Sequence, residues 1–166
     1  MQGLLREMKE NPVTIGFLKR RVPHGVKVVS YQKLKAGRSA IFKGGKPVIV
    51  LIPRKGYEEG HFITLVPWKR SIEYFSSLGN SPQKELALLH EPLDIMMNIL
   101  GKNFTYNRVQ LQSGKYNIND CAAFCLARVI LHKMKLRDFL SLFQKRMLRS
   151  SDDVVALMTL LHFVDK

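Results

Sequence analysis

Asp120 to Met134 reads DCAAFCLARVILHKM, and the fold turns on this stretch. Apolar residues recur almost all round a 3.6-residue period, which predicts a buried central helix rather than a surface helix with one apolar stripe. Such a helix needs cover on every side, and the flanking sequence offers it. Upstream, Val48-Ile49-Val50-Leu51-Ile52, rich in β-branched residues between Pro47 and Pro53, predicts a buried strand. His61 to Val66 and Ser71 to Phe75 predict two more strands, joined by a tight turn at Pro67-Trp68-Lys69-Arg70, and the alternation of Tyr106 to Gln112 predicts a fourth. Ser81 is a candidate N-cap with Pro82 in the first helical position, opening a helix to about His90; a second ends at Leu100-Gly101. Downstream, Leu136–Leu148 and Ser151–Val164 read as amphipathic helices. The N-terminal part reads as a short helix, Gln2–Glu10, followed by a basic, turn-rich region from Lys27 to Lys46. The expected class is α+β: a small mixed sheet packed with helices, the central one carrying Cys121 at its start.

The 166 residues fit a single domain, 1–166, with a basic N-terminal region (1–46), a central core (47–134) and C-terminal helices (135–166). Apolar residues make up 46% and charged residues 24%, which argues against a disordered chain. The seven-residue run Pro47–Pro53 is far short of the roughly 20 apolar residues that span a bilayer. Met1 to Asn11 has no apolar signal-peptide core. Two cysteines four positions apart make no disulfide framework, so a reducing compartment is expected. Net charge is +14, and residues 1–56 hold 13 Lys/Arg against Glu7 and Glu10, a local +11. That excess makes anionic partners plausible, with a solvated surface as the plain alternative.

Cys121 follows Asn119-Asp120 in the opening turn of the central helix, where free N–H groups and the helix dipole favour a thiolate and depress the thiol pKa. Small Ala122 and Ala123 would let a substrate backbone approach the sulfur. Buried inert cysteines are common, and for Cys125, one turn inside the helix, that reading prevails. His132 is eleven residues further on, about 16 Å along the helix axis, too far to activate Cys121. His24, His90 and His162 read as surface or packing residues. His61 opens an apolar strand after Gly60, a rigid mount for a base. Cys121, Cys125 and His132 do not make up a four-ligand metal set, so no metal or cofactor is expected.

Gly60-His61-Phe62, Ile72-Glu73-Tyr74-Phe75-Ser76-Ser77-Leu78-Gly79, Gln112 and Asn119-Asp120-Cys121-Ala122-Ala123-Phe124-Cys125 together resemble the adenain-like cysteine proteases. That group includes the adenovirus protease and the SUMO-deconjugating enzymes. The match is nearest to virophage and Maverick/Polinton-type maturation proteases and covers Pro47 to Met134. The resemblance implies a papain-like architecture, Cys121 as nucleophile, His61 as general base and acid, and Gln112 as oxyanion donor, with Gln110 the alternative. The family's carboxylate position falls on Ser76, so the histidine-orienting group is expected to be neutral, Asn80 or Ser76, on His61 Nδ1. Glu73 is a further carboxylate, but its strand parity opposes that of Ser76. The implied activity is cleavage after glycine-containing sequences in capsid precursors during virion maturation, in the virion and the infected-cell cytoplasm. Duplex DNA is an expected partner through Lys19, Arg20 and Arg21. The rival readings are a SUMO- or ubiquitin-like deconjugating protease and a basic nucleic-acid-binding protein without catalysis.

Overall fold

The structure is a computed structural model and describes residues 13–57, 60–112, 118–144 and 153. The helices expected at Gln2–Glu10 and Ser151–Val164, and His162, lie outside the described residues, Asp153 apart. The elements run α1 (Ile15–Lys19), β1 (Lys27–Ser30), a 3-10 helix (Tyr31–Ala36), α2 (Arg38–Ile41), β2 (Val48–Ile52), β3 (His61–Pro67) and β4 (Ile72–Phe75). There follow α3 (Pro82–Leu89), α4 (Leu93–Leu100), β5 (Phe104–Tyr106), α5 (Ile118–Ile130) and α6 (Leu136–Gln144). The class is α+β, built on a five-stranded mixed sheet in the order β1-β2-β3-β4-β5. The central pairs β2–β3 and β3–β4 are antiparallel, while each edge strand joins in parallel.

Strand parity sorts the core into two layers. Ile49 of β2 and Phe62 of β3 face α5, packing with Cys121, Cys125, Leu126 and Val129. Val48, Val50, Ile52, Ile63 and Leu65 face the other way, onto the 3-10 helix, α3 and α4. Because α6 also covers α5 through Phe124, Ala127 and Phe139, residues 121–129 of α5 are buried apart from half-buried Ala123. The all-round apolar pattern therefore corresponds to a helix held between sheet and helix.

Two expectations change. The region from Lys27 to Lys46 contains β1, the 3-10 helix and α2 rather than turns alone. β1 is an edge strand in which only Val28 is fully buried, so it carries no apolar alternation. The strand expected at Tyr106–Gln112 is instead Phe104–Tyr106, after which the chain leaves the sheet. Asn107 turns it: its buried amide accepts from Ser76 N (2.9 Å) and donates to Ser76 O (2.6 Å) and Val109 O (3.1 Å). Leu111 N and Gln112 N then both donate to Ser77 O, at 2.8 and 3.0 Å. These contacts wrap 107–112 around the turn that follows β4.

Gly79 makes that wrapping possible. Its φ is +69°, and a Cβ there would lie 2.7 Å from Val109 C and 2.8 Å from Gln110 N. Gly79→Ala should therefore lose at least the roughly 1–2 kcal/mol of a left-handed non-glycine residue, read as a lower denaturation midpoint. A midpoint equal to that of the unmodified protein would contradict this account.

Candidate active site

β3 begins at His61, and Gly60 before it passes so close to β2 that a Cβ would lie 2.3 Å from Ile52 O. His61 is completely buried. Its parity places it on the face covered by α3, and Glu85 comes from the first turn of that helix. His61 Nε2 donates to Glu85 Oε1 at 2.7 Å and lies 3.0 Å from Ser76 Oγ. The Ser76 hydroxyl donates to Glu85 Oε1 (3.1 Å) and accepts from Leu78 N (3.3 Å). Asn80 Nδ2 donates to the other carboxylate oxygen, Oε2. α3 is started by Pro82 and by the Ser81 hydroxyl, which accepts from Lys84 N at 3.2 Å, as expected.

The expected third group is thus corrected in two respects. The orienting contact falls on Nε2 rather than Nδ1, and it comes from a carboxylate, Glu85. Asn80 holds Glu85 and not the imidazole, while Ser76 touches both. Glu73 lies on the opposite face, as its parity requires, where Arg128 Nε and Arg128 Nη2 grip Oε1 and Oε2 at 2.7 and 2.9 Å.

Cys121 is also completely buried. The β3–β4 ladder starts only at Thr64, so Phe62 lies beyond its end, and Phe62 N donates to Cys121 Sγ at 3.2 Å. Cys121 and His61 are close enough that the charge of each shifts the other's protonation.

Burial governs the electrostatics. It pushes the Cys121 thiol up, and the nearby imidazolium and the Phe62 N–H only offset this in part. The direction is therefore opposite to the depression expected from a helix start, with desolvation the largest cause. For Cys125 burial lifts the thiol to about 12, in keeping with an inert residue. Burial pulls His61 down, but the Cys121 sulfur and the Glu85 carboxylate outweigh it and raise it to about 10. Burial raises Glu85, and His61 foremost, then Asn80 and Ser76, overcome it and hold the carboxyl below its usual range.

These shifts set a pH profile. An imidazolium kept to about 10 against 6.5 when unfolded adds stability that is full below pH 6.5 and lost as pH rises toward 10. Glu85 adds stability above its unfolded value of 4.5 that is lost as pH falls below it. Guanidinium unfolding should accordingly show a plateau between these limits. In Glu85→Gln the alkaline decline should begin no earlier than in the unmodified protein but end at a lower pH, and the acid-side decline should shrink. Superimposable profiles would disprove the Glu85–His61 coupling.

Gln112 is buried and Gln110 exposed. Ser77 Oγ donates to Gln112 Oε1 at 2.7 Å, which makes the amide NH2 the donor end of that side chain. Gln110 Nε2 donates to Gln112 O at 2.9 Å and supports the same turn. Ser76 and Ser77, adjacent in sequence, thus serve the histidine and the glutamine respectively. Glu85, Asn107 and Ser77 were the residues missed from sequence. The available signal for Glu85 was a carboxylate inside the buried stripe Pro82, Glu85, Leu86 and Leu89 of α3.

Elsewhere, His24 and His90 are exposed, and His132 Nδ1 pairs with Val129 O at 2.8 Å at the end of α5. Lys19 and Arg20 are exposed, and the Arg21 guanidinium stacks 3.5 Å from the Phe17 ring centre. Among the described residues no group of His, Cys, Asp and Glu could hold a metal ion. Among them, too, no helix is long and apolar enough to cross a membrane.

No family model and no curated protein matches the sequence. Among solved structures, the chain is similar to the central domain of the uncharacterized Lpg1148 protein from Legionella pneumophila. The TM-score is 0.50 at 14% identity, covering 94% of this chain and 99% of that one. At that identity the likeness is one of fold: a small mixed α+β domain.

Proposed function

We propose that the chain is a cysteine endopeptidase of papain-like, adenain-like arrangement. The observation that carries the reading is the buried row Glu85, His61, Cys121, assembled from α3, β3 and α5 with a 2.7 Å contact on His61 Nε2. A carboxylate, an imidazole and a thiol in that order match the general logic of an oriented base beside a nucleophile. Cys121 attacks the scissile carbonyl, its proton held by His61, and the imidazolium then protonates the departing amine. Water hydrolyses the resulting thioester, releasing the acid and the free thiol. Gln112 and the Cys121 backbone N–H are the candidate donors to the oxyanion. The substrate class we infer is a polypeptide with glycine at the scissile site, as in a capsid precursor.

The test is a glycyl-glycyl aldehyde peptide, followed by mass spectrometry of the protein. A single adduct on Cys121, absent in His61→Ala and present in Cys125→Ala, is expected. An adduct on Cys125, or Cys121 labelling untouched by loss of His61, would overturn the assignment.

A further inference from the structure

A cavity of about 360 Å³ lies along β1, and all of Lys27, Val28, Val29 and Ser30 line it. Successive residues of a strand point to opposite faces, so a cavity touched by every one of them runs along the strand's edge rather than over one face. β1 is an edge of the sheet, and among the described residues nothing pairs with its outer side. Ile15 and Lys19 of α1 wall the cavity in the layer of α5, while Lys33 and Ile41 wall it in the opposite layer. The result is a slot open at a strand edge and roofed on both sides. None of its lining residues is acidic, and Lys19, Lys27 and Lys33 surround it. Lys27 Nζ donates to Ala40 O at 2.6 Å; Lys19 and Lys33 are exposed.

We infer that this edge docks an extended, acidic polypeptide segment, added to the sheet as a further strand beside β1. Every second residue of an edge strand presents both an N–H and a C=O outward. A partner must supply acceptors and donors alternately, which a peptide backbone does; a nucleic-acid phosphate backbone offers only acceptors. The apolar walls take aliphatic side chains and the lysines take carboxylates, so pairing gives affinity and charge gives choice of partner. The site is separated from His61 by β2 and does not depend on the peptidase reading.

The probe is a fluorescein-labelled octapeptide of alternating glutamate and valine, titrated at low ionic strength into the full chain carrying Cys121→Ser, so that no cleavage intervenes. Saturable anisotropy is expected, with slowed amide exchange at residues 27–30. Lys19→Glu with Lys33→Glu should weaken binding roughly tenfold or more, whereas the equally exposed and distant Lys84→Glu with Lys133→Glu should not. The same peptide N-methylated throughout should fail to bind. Absence of binding, equal loss in both double variants, equal binding of the N-methylated peptide, or exchange protection elsewhere would each overturn the inference. So would duplex DNA held by Lys19 and Lys33 without protection at 27–30.

Discussion

Cleavage of a fluorogenic glycyl-glycyl peptide should vanish in Cys121→Ala and in His61→Ala, each by four or more orders of magnitude in about the manner of a catalytic unit. The double variant should be no worse than either single one, because neither group works without the other. Cys121→Ser is the cleaner control for folding. Phe62 N donates to the sulfur in a fully buried site, and alanine would leave that N–H without its acceptor at a cost of about 1–3 kcal/mol. Serine keeps an acceptor there while lacking the thiol. Cys125→Ala should retain activity, since burial holds that thiol at about 12 and its helical position faces Thr64 rather than His61. Activity in the Cys121 variants together with a dead Cys125 variant would refute the proposal. The measurement is kcat/KM alongside circular dichroism of each variant.

The second large effect concerns stability. Arg128, on α5 two turns beyond Cys121, has a completely buried guanidinium. It grips both Glu73 oxygens, donates to Leu131 O at 2.8 Å and Met134 O at 3.1 Å, and lies 5.1 Å from the Phe139 ring centre. Trp68 Nε1 adds a 3.3 Å hydrogen bond to Glu73 Oε2. One side chain therefore joins α5, the turn into α6 and strand β4. Removing it in Arg128→Met leaves a buried carboxylate and two carbonyls without their partner, and should cost about 3–5 kcal/mol in guanidinium unfolding. Glu73→Gln in the same background should recover part of that loss, because the uncompensated charge is the larger share. A cost under about 1 kcal/mol would show that the pair is not a main fastening of the central helix. The isolated Arg137–Asp138 pair, 89% and 50% exposed, should by contrast be replaceable without measurable effect.

Local pattern carried the reading a long way where burial is two-sided. Val48–Ile52 and residues 121–129 are apolar because neighbours cover both faces, and no alternative element fits such runs. The Ser81-Pro82 start of α3 was equally legible, since an N-cap and a first-turn proline act within a few residues. β1 was not: an edge strand with one fully buried residue leaves no periodic trace, and it exists because β2 lies beside it. The strand expected at Tyr106–Gln112 fails for a related reason. Its alternation is real, but Asn107 and the Ser77 carbonyl, distant in sequence, take the backbone hydrogen bonds that a ladder would need.

Within the candidate site the same division holds. From sequence alone come a thiol at the start of a buried helix, a histidine at the start of a strand, and the exclusion of Glu73 by parity. Those follow from spacing along one element, which the chain's own geometry sets. Which group meets His61 depends on how α3 crosses the sheet, and only tertiary packing brings Glu85 to Nε2 and turns Asn80 onto Glu85 instead. The thiol's pKa direction is decided in the same way: the helix start favours a thiolate, yet complete burial beside the sheet disfavours the charge, and His61 and the Phe62 N–H offset this only in part. Sequence determined the elements buried on both sides and the reactive side chains they carry. The packed structure decided which of those side chains touch, because desolvation and contact between distant segments exist only once the layers have closed.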